Sequence, residues 1–337
     1  MIRAARFIFF FFILVLFSCS KEETSVLSFE AMDTFCTIKS SGKNAALVNQ
    51  KARSCMQEIE SLLSVTKEES DIYRINNAEV FPVKVSSITS EVVSYALSVS
   101  AKTEGSLNPA LYPVTRLWGF TTGTLRVPSY EETSSALVFC DYKKVSVEKD
   151  CVSMEKGMAL DLGSVGKGFA GDRILSLYKE NGIKSAVIDL GGNVQVLGSK
   201  PDGSAWSVGL RNPFGTGTVS LSVKVTDKAV ITSGGSERFF YADGNKYIHI
   251  FDPKTGRPCS NGLASVTIVC PSGLYADSLS TALFVMGKEA AADFWKSNPD
   301  FDFIIITDDF SVYYSEGLSS SIDFYDAFTS INEVRLQ

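Results

Sequence analysis

Apolar residues recur at helical spacing over residues 44–65, where Val48, Ala52, Cys55, Ile59, Leu62 and Leu63 share a face. The same rhythm returns over residues 89–103 through Val92, Val93, Ala96, Leu97 and Val99, and Gly105 is placed to end that helix. Residues 166–179 read as a helix with Gly182 as its stop, and residues 277–286 and 289–297 complete the helical set. Strand character begins at residues 28–40, where Phe35, Thr37 and Ile38 are β-formers. It recurs in short runs at 186–190, 206–210, 219–225, 229–231, 238–241, 247–251 and 265–269, with a last core strand at 303–307. Residues 70–78 break both periods. Residues 107–120 form a proline-containing connector whose Tyr112, Trp118 and Phe120 either line a pocket or fill core. Long antiparallel-looking runs mixed with helices predict an α+β fold of mixed, largely antiparallel sheets with packed helices, not a regularly alternating doubly wound one.

The N-terminus follows a different pattern. Arg3 and Arg6 precede an apolar run over residues 7–17, the layout of a secretory signal. The run is too short to span a bilayer, which takes roughly 20 apolar residues. It ends at Leu16-Phe17-Ser18-Cys19 and is followed by a polar stretch, an arrangement that resembles a bacterial lipobox. In that reading residues 1–18 are a signal peptide, and Cys19 is lipidated and becomes the first residue of a tether over residues 19–28. The expected location is then the periplasmic side of the bacterial inner membrane, through the lipid anchor. An ordinary cleaved signal with an incidental cysteine is the alternative.

The chain has 337 residues, 45% hydrophobic and 21% charged, enough for one large domain or two intimately packed lobes. Its net charge of −6 argues against a nucleic-acid partner, which requires a surplus of Lys and Arg on one face. An anionic ligand must therefore be met locally, by a metal, Lys167 or backbone amides. Six cysteines follow Cys19, at wide spacing and with no C-x-x-C pair, and they read as small buried residues. With a single histidine in the chain, a structural zinc site is not expected.

Four segments carry candidate chemistry. Asp161-Leu162-Gly163-Ser164-Val165-Gly166-Lys167-Gly168 is a glycine-rich turn running into a helix, either an anion site or a plain helix start. It lacks the Walker A spacing. In Ala276-Asp277-Ser278-Leu279-Ser280-Thr281, Asp277 and Thr281 are four apart and share a helical face. That places a carboxylate beside a hydroxyl as hard ligands for magnesium, or it leaves Asp277 as a helix cap and Thr281 as packing. His249 is the one histidine and hence the one candidate imidazole base, unless it is a satisfied core residue. The turn from Thr232 to Arg238 lacks the G-x-S-x-G spacing of a nucleophile elbow, which lowers a serine-hydrolase reading through Ser233 or Ser236.

Met32-Asp33-Thr34, the turn with Asp161, Asp189-Leu190-Gly191-Gly192-Asn193, the segments around Ser233 and His249, and the helix with Asp277 occur in an order that resembles the ApbE family of FAD:protein FMN transferases. The likeness runs over residues 29–325 as a single catalytic domain of two closely associated lobes, leaving 326–337 as a C-terminal tail. It implies an enzyme that binds FAD with Mg²⁺, cleaves the pyrophosphate, joins FMN by a phosphodiester to a Thr or Ser of an extracytoplasmic acceptor flavoprotein, and releases AMP. By the same resemblance Asp277 and Thr281 are side-chain metal ligands, with Ser280 nearby and Ser164 supplying its carbonyl. Asp161, Lys167, Met32 and Phe251 are flavin-nucleotide contacts, and His249 deprotonates the acceptor hydroxyl. Thr66 stands where many members place an aromatic that covers the flavin ring. That departure raises FAD pyrophosphatase activity as an alternative outcome. A non-catalytic flavin-binding lipoprotein is the other alternative.

Overall fold

The computed structural model describes residues 23–215 and 217–336. The expected signal peptide and Cys19 lie outside them. A nine-stranded sheet organises the fold, in the order Glu23–Ala31, Thr34–Gly42, Ser185–Leu190, Asn193–Leu197, Ala229–Gly234, Leu263–Cys270, Asp302–Thr307, Ser311–Ser315 and Ser330–Val334. Every neighbouring pair is antiparallel except the last, which is parallel. The α+β class expected from the sequence is what is found.

Alternation along the strands sends side chains to two different cores. Ile231, Ile268, Phe303 and Ile305 face the helices Gly273–Met286 and Lys288–Ser297. Val230, Val269, Ile304 and Ile306 face a smaller sheet of Trp206–Arg211, Val219–Val225 and Ile322–Phe324. At the other end of the large sheet, Ile38, Ile188 and Leu190 pack beneath the helices Ala45–Leu63, Ser87–Lys102 and Gly166–Glu180. The two lobes are thus two helical cores lying on one continuous sheet.

Several expected boundaries change. Residues 28–40 are not one strand but most of a hairpin, turning at Met32 and Asp33, both with positive φ (50° and 56°). The apolar/polar alternation is the same on both arms, so the pattern did not reveal the reversal. Residues 70–78 contain the short helix Asp71–Asn76, capped by Ser70, and residues 107–120 contain the helix Tyr112–Leu117 with proline in its first turn. Both are too short for a periodic signal. The ordered domain also exceeds 29–325. Residues 23–28, expected within a tether, form the start of the edge strand Glu23–Ala31, and residues 330–334, expected in a tail, pair with Ser311–Ser315. Asp302–Thr307 is therefore not the last strand. All six described cysteines are free.

Candidate active site

The glycine-rich turn is held from several directions before it enters its helix. The Asn76 side chain donates to the Leu160 carbonyl at 2.8 Å and accepts from the Leu160 N–H at 2.7 Å. The next N–H, that of Asp161, donates to the Pro109 carbonyl at 2.8 Å. Asp161 Oδ1 then accepts from the Gly163 N–H at 2.8 Å, closing the turn on itself. Half-buried Ser164 leads into the helix Gly166–Glu180, whose N-cap residue, Val165, has no capping side chain. The first-turn N–H of Gly168 donates instead to Asp277 Oδ2 at 2.8 Å.

Asp277 is only 4% exposed. Its own helix, Gly273–Met286, is capped by Ser272, which accepts from the Tyr275 N–H, so Asp277 lies in the second turn and is not the cap of that helix. It caps its neighbour, a helix beginning more than a hundred residues earlier. Two glycines permit the approach. A Cβ on Gly168 would lie 2.2 Å from the Gly273 carbonyl oxygen and 2.6 Å from Asp277 Cβ, and one on Gly273 would lie 1.9 Å from Gln195 Nε2. Burial pushes the Asp277 carboxyl above its ordinary range, against the opposing pull of the Lys167 ammonium and the Gly168 N–H. The Asn193 amide faces this carboxylate, yet its buried Nδ2 closes no hydrogen bond.

One turn on, Thr281 and Ser280 place their hydroxyls 3.2 and 2.8 Å from that of Ser233, on the strand Ala229–Gly234. Ser280 also donates to the Asp277 carbonyl at 2.9 Å. The result is one buried carboxylate, a cluster of hydroxyls and an unpaired buried amide. Among the described residues no three His, Cys, Asp or Glu side chains converge as a metal cage. This set fits a hard cation that retains water and takes phosphate oxygens as further ligands, as magnesium does, and it does not fit zinc. Asp277, Thr281 and the Ser164 carbonyl would hold such an ion, with Ser280 bracing the loop of hydroxyls. Ser233 has hydroxyl partners and not the histidine, which disfavours a hydrolase nucleophile.

His249 follows the strand Asn245–Ile248. Both its backbone N–H and its ring Nδ1 lie against the Arg238 carbonyl, at 3.1 and 3.2 Å. A carbonyl only accepts, so Nδ1 carries the hydrogen and Nε2 is left as the basic atom. Burial, reinforced by the Arg238 and Lys167 charges, brings the imidazole down to about 4, so it is neutral at physiological pH. Behind it, Phe120 lies 6.3 Å away, and Phe251 packs on Trp118 and Phe120, each at 5.8 Å. Phe251 is 4% exposed and supports this aromatic group from within.

Lys167 links these groups electrostatically. Its charge acts on Asp161, Asp277, Glu237 and His249 alike. Asp161 is half-buried and Glu237 lies at the surface, and desolvation by the surrounding protein raises both carboxyls. Met32, at the hairpin turn, packs on the first helical core, and the adjacent Asp33 lies 3.8 Å from Arg238. Exposed Thr66 hydrogen-bonds to Ser64 within its own turn and is not drawn into this group. Asn76 and Gln195 were not singled out from the sequence, and Glu237 and Arg238 entered only as the end of the turn from Thr232, with no role of their own. Isolated polar residues carry no spacing signal until the fold aligns them. A separate cavity of about 560 Å³, between the helices Tyr112–Leu117 and Tyr130–Leu137, contains none of these residues.

Residues 32–305 match the ApbE family. The chain belongs to that family. A FAD:protein FMN transferase of Treponema pallidum is 35% identical over 291 residues, covering 81% of this chain and 80% of the relative. One from Escherichia coli K12 is 29% identical over 283 residues, covering 80% and 81%. The ApbE protein of Thermotoga maritima superposes with a TM-score of 0.79 at 31% identity, over 90% of this chain and 97% of that one. The flavin transferase ApbE of Vibrio cholerae does so with a TM-score of 0.78 at 26% identity, over the same shares. The family match spans the glycine turn, the Asp277 helix and His249 in this chain.

Proposed function

We infer that this protein is an FAD:protein FMN transferase, cleaving the FAD pyrophosphate and passing FMN to a Thr or Ser hydroxyl of an acceptor flavoprotein. The observation that carries the reading is the meeting of the glycine turn with Asp277 at the Gly168 N–H, and the neutral imidazole of His249 supplies the base it needs. Magnesium is the proposed ion at Asp277, where it would polarise the pyrophosphate and offset charge on the departing AMP.

The chain's own residues supply the remainder. Lys167 places a positive charge in the first turn of its helix, where it attracts the pyrophosphate. Asp161 and the turn it closes bind and orient the nucleotide. His249 Nε2 accepts the proton of the attacking hydroxyl as the oxygen bonds to the FMN phosphorus and the bond to the AMP oxygen breaks. Met32 packs against the flavin from the hairpin turn. Thr66 favours a second reading: a small exposed side chain gives the flavin ring little cover, so water competes with the acceptor and FAD is hydrolysed when no acceptor is present.

We further propose that the mature chain is exported and held at the membrane surface by lipid on Cys19. Mass spectrometry of candidate extracytoplasmic flavoproteins incubated with enzyme, FAD and Mg²⁺ tests the transfer. An acceptor peptide gaining FMN through a phosphodiester is the expected product. Intact bound FAD, with neither AMP nor FMN released, would leave a flavin-binding protein instead.

A further inference from the structure

The helices Gly166–Glu180 and Gly273–Met286 cap each other. Asp277 of the second takes the Gly168 N–H of the first. In return, Asp172 of the first accepts from the Gly273 N–H at 2.7 Å, the Leu274 N–H at 3.0 Å and the Ser272 hydroxyl at 3.0 Å. Ser272 meets the Tyr275 N–H with its side chain and the Ala276 N–H with its carbonyl, so the first turn of the second helix is fully partnered. Without Asp172, two of those four donors lose their partners. Gln195 fills the crossing: its Nε2 donates to the Gly168 carbonyl at 3.1 Å, and a Cβ on Gly171 or on Gly273 would lie within 2.0 Å of that nitrogen.

Asp277 lies one turn beyond the amides that Asp172 grips, on the same helix. We propose that Asp172 is a positioning residue for the metal site, setting where the Asp277 carboxylate stands against the glycine turn. The inference rests on the metal reading given above. Asp172 itself does not touch the ion; it fixes the ligand that does, as outer-shell partners do in other metal sites.

The test compares Asp172→Ala, Asp172→Asn, Asp277→Ala and, as a destabilised control, Val312→Ala in the core on the far side of the sheet. Mn²⁺ binding is titrated by electron paramagnetic resonance, with and without FAD, well below each variant's melting temperature. Asp172→Ala is expected to weaken Mn²⁺ binding by about 10-fold or more. The Mg²⁺ concentration for half-maximal FAD cleavage should rise in parallel, with kcat at saturating Mg²⁺ within about threefold of wild type. Asp172→Asn, which retains one acceptor oxygen, should fall between, and it carries the test if the alanine variant does not fold. Val312→Ala should lose stability with metal affinity unmoved. Unchanged Mn²⁺ affinity in both Asp172 variants, with binding lost in Asp277→Ala, would overturn the positioning role alone. Wild-type binding in Asp277→Ala would overturn the metal assignment and the inference with it.

Discussion

The Gly168 N–H and the Asp277 carboxylate meet at 2.8 Å across 109 residues of sequence. One oxygen of a buried acid is thereby committed to a helix N-terminus. The carboxylate also faces the Asn193 amide, on the side of the helix where the metal reading requires a ligand.

Asp277→Ala should lower FMN transfer at least ~10²-fold, since losing even ~3 kcal/mol of transition-state stabilisation has that effect. A transfer assay over a wide Mg²⁺ range checks it. Normal turnover with metal dependence retained would remove Asp277 from the site.

Asp277→Asn should separate function from stability. The folded protein holds the Asp277 proton more tightly than the unfolded chain, because burial raises the carboxyl above 3.8. Its contribution to stability is therefore greatest below 3.8 and is lost as pH rises through the raised folded value. At neutral pH the metal-free Asn variant should melt above wild type while being inactive. Scanning calorimetry in EDTA at several pH values measures this, and equal melting temperatures at pH 7 would contradict it.

For His249 the folded value is depressed to about 4, from an ordinary 6.5. The folded state thus binds fewer protons between those limits, and stability contributed by the neutral ring is lost as pH falls from 6.5 towards 4. The acidic limb of kcat/KM for the acceptor in the free enzyme should fall near the lower value. Arg238→Gln, which removes a neighbouring positive charge, should move that limb upward. His249→Ala should slow transfer by roughly 10²- to 10⁴-fold, the range for a general base. A limb near 6.5 in wild type would count against a neutral, desolvated ring.

Gly168→Ala should destabilise the fold by about 1–3 kcal/mol, the usual cost of overpacking, because both close neighbours of the added methyl are held in place. It should also impair catalysis, since relief of the clash parts Asp277 from the turn. Urea denaturation with parallel activity measurements checks both effects.

Asn76→Ala removes both hydrogen bonds to the fully buried Leu160, at an expected cost of about 1–3 kcal/mol for each unpaired buried group. The Asp161 turn loosens with it, so KM for FAD should rise more than kcat falls. Steady-state kinetics resolve the two, and unchanged KM in a folded variant would free the turn from this clamp.

The chain's periodicity was sufficient for the long elements. The heptad-like faces of Ala45–Leu63 and Ser87–Lys102 and the apolar runs of Leu263–Cys270 and Asp302–Thr307 are local patterns, as broad as the surfaces they bury. The residue types required for the chemistry were legible for the same reason: a single histidine, a glycine turn leading into a helix, and an Asp four residues before a Thr. What spacing left open was their meaning. Asp277 as a cap of its own helix and Asp277 as a ligand predict the same sequence. Only the crossing at Gly168 and Gly273 shows that Ser272 does the local capping while Asp277 reaches another helix. The hairpin reversal at Met32, the strand Ser330–Val334 and the roles of Asp172, Gln195 and Asn76 were likewise decided by tertiary structure. Each depends on partners far away in the chain, and a long-range contact between polar groups leaves no periodic trace in sequence.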